Sequence, residues 1–309
     1  MFFEGSEKKV EVVVSELAPS LRSLGKNYWS NIVSQANAEI LSTVSNEQCD
    51  AYLLSESSLF VWDHHFVMLT CGTTTLVSAV LSFLESYESD QLLSLIFQRK
   101  NEYLSHLQKS SFSEDIDKLQ QNLSGKAYQL GNLDTHHNYV YHLDKPYVAT
   151  PDDYTYELLM YHIHGDAAQY LRSEHQSAAT IRELLELDKL LPGFEINDFV
   201  FAPFGYSMNA IKGHQYATIH ITPQEESSYV SFETNLDLST PNSNVIERLT
   251  SILQPNSFDI ISFNGIPNIQ SSSHTLMNHV SEPLTCGYTM RFYEFMRSEP
   301  KIGRAVSIL

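Results

Sequence analysis

Cysteine is scarce in this chain: Cys49, Cys71 and Cys286 are the only three in 309 residues. Their odd number and wide spacing argue against a disulfide scaffold and against a metal knuckle. Basic residues are also in the minority, with 19 Lys and Arg against 37 Asp and Glu and a net charge of -18. No local basic patch relieves that balance, so a phosphate backbone would be repelled and nucleic acid is not an expected partner. A cationic ligand suits the charge better. No run of about 18 apolar residues occurs, so no membrane span is expected. The start, MFFEGSEKK, turns polar too soon for a signal peptide, and the chain reads as soluble and cytoplasmic. The motifs GxGxxG, GxxxxGK before Ser or Thr, HExxH and GxSxG are all missing, which removes the common nucleotide, zinc-protease and serine-hydrolase readings.

What is present is a large apolar fraction, 42%, with 17 Tyr and 16 Phe, enough for one large core or two fused layers. VEVVV (Val10–Val14) reads as a strand, with Glu7, Lys9 and Glu11 on one face and the valines on the other. AYLLSESSLFVW reads as a second strand and Phe66–Cys71 as a third, joined through Asp63, His64 and His65 as a hairpin. The period then changes: Leu76, Val77, Val80, Leu81 and Leu84 predict a helix capped near Thr73 or Thr74. Helices are also predicted over Asp90–Lys100, SSFSEDIDKLQQN, Tyr156–Ile163 (with Asp152 or Asp153 as cap), TIRELLELDKLLPG and Asn244–Leu253. Strands are predicted over AYQLGN, NYVYHLD, Phe194–Phe201, Tyr216–Thr222, SYVSFET, DIISFNG and GYTMRFYEFM. Hairpins outnumber crossovers, which favours antiparallel sheets with helices on one face. The expected class is therefore α+β, a four-layer αββα sandwich of two stacked, largely antiparallel sheets with helices outside. It forms one domain whose layers divide near residues 144–151. No internal sequence repeat is evident.

Few single residues declare chemistry. The pairs His64-His65 and His136-His137 read as solvated turn residues, and no metal site is expected. Cys71 lies where a strand gives way to a helix, and amides of Gly72 and Thr73 would lower its thiol pKa there; a buried structural cysteine fits the same pattern. His220, inside a strand, reads either as a base near neutral pH or as a hydrogen-bonded core histidine. Ser207 follows Gly205 at a strand–turn junction. In LSESSLFV, Ser55 and Ser58 read as ordinary neighbours in a strand with one polar end.

Taken in order, FFEGSEK (Phe2–Lys8), YLLSESSLFV (Tyr52–Val61), LTCGTTTL (Leu69–Leu76), GYSMN (Gly205–Asn209) and ATIHITP with SYVSFETN (Ala217–Asn235) are far more specific. With a weaker match at PDDYTYELLM (Pro151–Met160), they span almost the whole chain. On these stretches the chain resembles the eukaryotic S-adenosylmethionine decarboxylase proenzymes, pyruvoyl-dependent enzymes of spermidine and spermine synthesis.

The resemblance implies a chain that cuts itself between Glu56 and Ser57. The Ser57 hydroxyl attacks the Glu56 carbonyl, β-elimination follows, and Ser57 becomes a covalent pyruvoyl cofactor. The products are a β chain, 1–56, and an α chain, 57–309. The resemblance gives His220 the Cα proton of Ser57, and gives Ser207 a part in stabilising the oxyoxazolidine intermediate. Pyruvoyl would hold S-adenosylmethionine as a Schiff base, carbon dioxide would leave, and Cys71 would reprotonate the α-carbon to give S-adenosylmethioninamine. Glu7 would border the site. Phe3 and Phe201 would sandwich the adenine, backbone at Leu54 would touch its edge, and Gln224 would take the place of a ribose-binding glutamate. Glu11, Asp153, Thr155, Glu157 and Glu233 would form the buried acidic cluster linked to putrescine. Leu69, where animal relatives carry lysine, would remove an internal cation from that cluster. Monomers and homodimers of the αβ unit both occur among such proteins, and neither membrane nor nucleic acid is an implied partner. The alternative reading is a weak or inactive paralogue that regulates an active decarboxylase.

Overall fold

A computed structural model describes residues 5, 7–87, 90–100, 102–241, 243–299 and 305. The first half runs β1 (Lys8–Val14), α1 (Gly25–Gln35), β2 (Ile40–Ser45), β3 (Asp50–Leu54), β4 (Ser57–Val61), β5 (His65–Thr70), α2 (Leu76–Leu84), β6 (Leu92–Lys100), α3 (Phe112–Leu119), β7 (Gly125–Gly131) and β8 (His137–Leu143). The second half runs β9 (Thr155–Tyr161), α4 (Gly165–Leu171), α5 (Ala178–Leu184), α6 (Leu187–Leu190), β10 (Glu195–Val200), β11 (Tyr206–Lys212), β12 (Gln215–Thr222), β13 (Tyr229–Thr234), α7 (Val245–Leu253), β14 (Ser257–Phe263), β15 (His274–Pro283) and β16 (Thr289–Arg297).

Each half forms an eight-stranded sheet, ordered β2-β3-β4-β5-β1-β6-β8-β7 and β10-β11-β12-β13-β9-β14-β16-β15. The second order is the first repeated strand for strand, although no sequence repeat accompanies it. All described ladders are antiparallel. Alternation along the strands then builds four layers. Val10, Val12 and Val14 pack outward with Trp29 of α1 and Leu76, Val80 and Phe83 of α2. Met208, Ile219 and Phe232 do the same against α4, α5 and α7. The opposite faces meet each other: Phe60 and Leu69 pack with Ile211 and Tyr216 at one end, and Ile96 and Val140 with Leu159 and Ile261 at the other. The αββα sandwich is therefore observed. Among the described residues no helix is long and apolar enough to cross a membrane.

Four expected elements differ. Asp90–Lys100 is strand β6 and Tyr156–Ile163 is strand β9, not helices. Both run in the sheet interiors, flanked by β1 and β8 and by β13 and β14, and are buried on both faces almost throughout. An apolar run buried on both faces carries no period of two to mark it as a strand. TIRELLELDKLLPG breaks into α5 and α6 at Glu186, whose φ is 53°. AYLLSESSLFVW is not one strand: it folds back at Ser55 and Glu56 into the β3–β4 hairpin, with Leu54 paired to Ser57.

Candidate active site

The β3–β4 turn presents the Glu56–Ser57 peptide. Ser57 is buried and has φ 139°. That region is nearly closed to residues with a Cβ and costs on the order of 1–3 kcal/mol. Its position is fixed from both sides, by Leu54 on β3 and by Thr70 on β5. The Glu56 carbonyl oxygen accepts the Cys71 N–H at 2.9 Å and the Cys71 thiol at 3.3 Å. Two donors thus polarise the carbonyl that precedes a strained serine, an oxyanion-hole arrangement. Helix α2 starts only at Leu76, with Thr75 at the N-cap and no side-chain cap, so Thr73 and Thr74 do not cap it. Cys71 is accordingly not at a helix end. Burial first, then Glu56 and Glu7, push its thiol well above the usual range. No helix-end lowering occurs, and Cys71 stays a neutral thiol, the form in which it can donate a proton.

The second sheet faces this peptide with β11 and β12. Ser207 lies just past the bend that ends at Gly205, as the second residue of β11, paired with His220 on β12. The Ser207 Oγ lies 2.8 Å from His220 Nδ1. Thr218 Oγ1 and Ser58 Oγ lie 2.8 and 3.1 Å from Nε2. Burial lowers the His220 pKa to about 4, with Glu7 acting the other way, so the imidazole is neutral at physiological pH. Glu7 is fully buried just ahead of β1. Its Oε1 accepts from Ser231 Oγ at 2.8 Å and from Ser57 Oγ at 3.5 Å.

Ser57, Cys71, Ser207 and His220 open onto one cavity of about 880 Å³, lined also by Glu56, Phe201, Arg172 and Gln224–Ser227. Phe201 lies in that wall with its ring against Phe199, centroids 4.8 Å apart. Phe3 lies outside the described residues. The Leu54 side chain is buried in the helix-facing core, so only its backbone is directed toward the turn that lines the cavity. The Gln224 Oε1 is buried without a hydrogen-bond partner.

A ladder of buried charges runs from this site into the inter-sheet space. Lys100 Nζ bridges Glu7 Oε2 at 3.2 Å and Glu157 Oε2 at 3.0 Å. Lys9 Nζ bridges Glu157 Oε1 at 2.9 Å, Glu233 Oε1 at 3.0 Å and Glu11 Oε2 at 3.8 Å. Burial opposes the charge on both lysines, but the carboxylates hold both above the ammonium range. Burial would raise Glu157, yet Lys100 and Lys9 pull it below the carboxylate range. Glu11 is different. Burial, with Asp153 and Glu233 adding to it against Lys9, lifts it to about 7. Asp153 accepts from Tyr288 at 2.7 Å and Tyr147 at 3.3 Å instead of capping a helix. Thr155 is buried at the head of β9. The acidic cluster therefore does not lack a cation for want of a lysine at position 69. Lys9 sits directly across the β1–β5 ladder from Leu69 and carries the charge into the same space. The role of Lys9 and Lys100 went unread in the sequence because two-state hydropathy places lysine outside; only the shared face of Glu7, Lys9 and Glu11 hinted at it.

The adenosylmethionine decarboxylase family model matches residues 1–299. The chain is 32% identical to the S-adenosylmethionine decarboxylase proenzyme of Leishmania donovani, over 84% of this chain and 73% of that one. Against the proenzymes of the same name from Xenopus laevis and Catharanthus roseus, identity is 34% and 32%, over 83% and 96% of this chain and 82% and 91% of theirs. The crystal structure of the Trypanosoma brucei AdoMetDC-delta26 monomer superposes with a TM-score of 0.62 at 23% identity, covering 78% of this chain and 99% of that one, and shares the fold. With the family model matched over nearly its whole length, this chain belongs to the adenosylmethionine decarboxylase family.

Proposed function

We propose that this enzyme cuts itself between Glu56 and Ser57 and then decarboxylates S-adenosylmethionine with the pyruvoyl group so formed. The observation that carries the reading is the Glu56–Ser57 peptide: a serine at φ 139° follows a carbonyl held by two donors from Cys71. A hydroxyl is a weak nucleophile and an amide a weak electrophile, so strain and polarisation are what this reaction needs. The Ser57 Oγ adds to the Glu56 carbonyl carbon, the C–N bond breaks, and an ester joins Glu56 to the Ser57 side chain. Neutral His220 accepts the Cα proton of Ser57, the ester C–O bond breaks, and the chain ending at Glu56 leaves as a carboxylate. Water then replaces the freed amine nitrogen, which departs as ammonia. Ser207 lies at Nδ1 of His220 and orients the ring; when its one hydrogen turns away from Nδ1 it can donate to the oxygen that gains charge.

Residue 57 fits the pyruvoyl group, because it lines the cavity while β3 and β5 anchor the strand that begins there. That group supplies a ketone conjugated to an amide, which drains the electrons released when a bound α-amino acid loses carbon dioxide. Cys71, neutral and in the same wall, supplies the proton to the substrate α-carbon. Phe201 offers an aromatic face to the sulfonium or the adenine. The unpartnered Gln224 Oε1 is an acceptor suited to a ribose hydroxyl. Lys9 and Lys100 neutralise the Glu157 and Glu233 end of the acidic cluster, so putrescine would act at the Glu11 and Asp153 end. Denaturing intact-mass measurement tests the reading. Two chains divided after Glu56, the second with a carbonyl in place of its amine, are expected. A purified protein that stays as one 35.1 kDa chain overturns it and favours the regulatory paralogue.

A further inference from the structure

The ring nitrogen of His220 that faces away from the cavity has its own set of buried partners. Ser58, Thr218 and Asn209 are at most 1% exposed. The Asn209 Oδ1 accepts from both the Ser58 and the Thr218 hydroxyls. A serine or threonine hydroxyl has one hydrogen, and an amide oxygen has only lone pairs. With both hydrogens directed to Asn209, each hydroxyl oxygen can only accept from His220 Nε2. A neutral imidazole carries a single N–H, so Nδ1 is left as a lone pair. Ser207, which faces Nδ1, lines the cavity, whereas the three partners on the Nε2 side do not.

We propose that Ser58, Thr218 and Asn209 form a buried clamp that fixes His220 as its Nε2–H tautomer and so aims a basic Nδ1 at the cavity. They are positioning residues, and the inference rests on the proposed role of His220 as the base. The device also explains the second serine of Ser57-Ser58. Successive strand residues point to opposite faces, but the φ of Ser57 lets both neighbouring hydroxyls serve the one site. Burial without ionisation suits the clamp, because a protonated ring would need two acceptors and the Nε2 side would gain a charge with only neutral groups to meet it.

Nitrogen-15 NMR of the full chain with labelled histidine reads the tautomer directly, with His220→Gln identifying the signal. In the wild-type chain the bare nitrogen is expected at Nδ1. A hydrogen on Nδ1 overturns the clamp, since it would mean that the Asn209 amide is turned and the two hydroxyls donate to Nε2. Asn209→Ala frees both hydroxyls to donate to the ring, so the signal should move toward the Nδ1–H tautomer and self-cleavage should slow about a hundredfold. If Asn209→Ala does not fold, Ser58→Ala combined with Thr218→Val removes both acceptors at Nε2 and should shift the tautomer in the same direction. Unchanged tautomers in a folded Asn209→Ala chain or in the folded double variant sink the proposal. If the tautomer is as expected but His220→Gln still cleaves at the wild-type rate, the clamp stands and the role of His220 as base falls.

Discussion

Hairpin β3–β4 and hairpin β11–β12 occupy the same place in their sheets, and each turns through two residues. In the second sheet the turn is Gly213 and His214, with Gly213 at φ 59°. That is the ordinary solution, a glycine where the chain needs positive φ. In the first sheet the turn is Ser55 and Glu56 with no glycine, and the positive φ falls on Ser57 as it enters β4. One topology thus yields a relaxed turn in one half and a strained serine in the other. The halves divide the site in the same way. The first sheet contributes the Glu56–Ser57 peptide and Cys71, and the topologically equivalent strands β11 and β12 contribute Ser207 and His220. Strain and base thus come from matching hairpins, but from opposite ends of them: Ser57 adjoins its turn, whereas Ser207 and His220 pair at the end of β11–β12 away from Gly213 and His214.

The largest effect should come from removing the reactive group that only the first hairpin carries. Ser57→Ala takes away the hydroxyl, and denaturing mass spectrometry should find only the uncut chain after long incubation. Any chain starting at residue 57 would mean that the Ser57 hydroxyl is not the nucleophile. The second sheet can be tested through pH. With its pKa near 4, His220 stays a competent base well below neutrality. Cleavage should therefore hold level from about pH 8 to pH 5 and fall as pH drops through about 4. A midpoint near 6.5 would place His220 in solvent instead. The same burial has a stability consequence. Between pH 6.5 and about 4 the unfolded chain binds the proton that native His220 refuses, so His220 costs no stability above 6.5 and destabilises increasingly as pH falls toward 4.

A third test moves a charge within the first sheet. Lys9 and Leu69 are cross-strand partners, and Lys9 holds Glu157 and Glu233 of the second sheet. Lys9→Leu leaves those carboxylates buried without it and should cost about 3–5 kcal/mol in denaturant unfolding. Leu69→Lys alone sets two ammoniums opposite each other and should also destabilise. The double variant returns one lysine to the same pair of strands and should recover most of the loss. If both single costs simply add, the ammonium is not exchangeable across the ladder.

Much of this was legible in the sequence where the two sides of an element differ in polarity. The valine alternation of β1 and the amphipathic spacing of α2 gave those elements directly, and the shared face of Glu7, Lys9 and Glu11 gave the polar side of β1. Strands β6 and β9 were not legible, because a strand buried on both faces shows hydrophobicity without alternation. The turn at Ser55 and Glu56 was hidden for the opposite reason. A turn without Gly, Pro or Asn has no local signal when tertiary packing imposes its geometry. The candidate site residues came from matching motifs, not from spacing. What brings Cys71 to the Glu56 carbonyl and His220 to Ser58 is pairing across 15 and 162 residues of sequence, which no local pattern encodes.

The smallest expected effect bears most directly on the comparison of the two hairpins, because it separates strain from chemistry. Ser57→Ala and Ser57→Gly both lack the nucleophile, so both chains should remain uncut and can be compared intact. In an ordinary strand glycine is the less stable of the two, by roughly 0.5–1 kcal/mol, because it has more backbone freedom to lose. At φ 139° the order should reverse, since alanine keeps the Cβ that makes this conformation costly and glycine does not. Relief of about 1–3 kcal/mol would outweigh the entropic penalty, leaving Ser57→Gly the more stable in urea. Gly213→Ala in the matching turn should go the other way and destabilise, because its φ of 59° is already suited to glycine. If Ser57→Ala proves at least as stable as Ser57→Gly, the peptide stores no strain, and polarisation of the Glu56 carbonyl by Cys71 would have to account for cleavage alone.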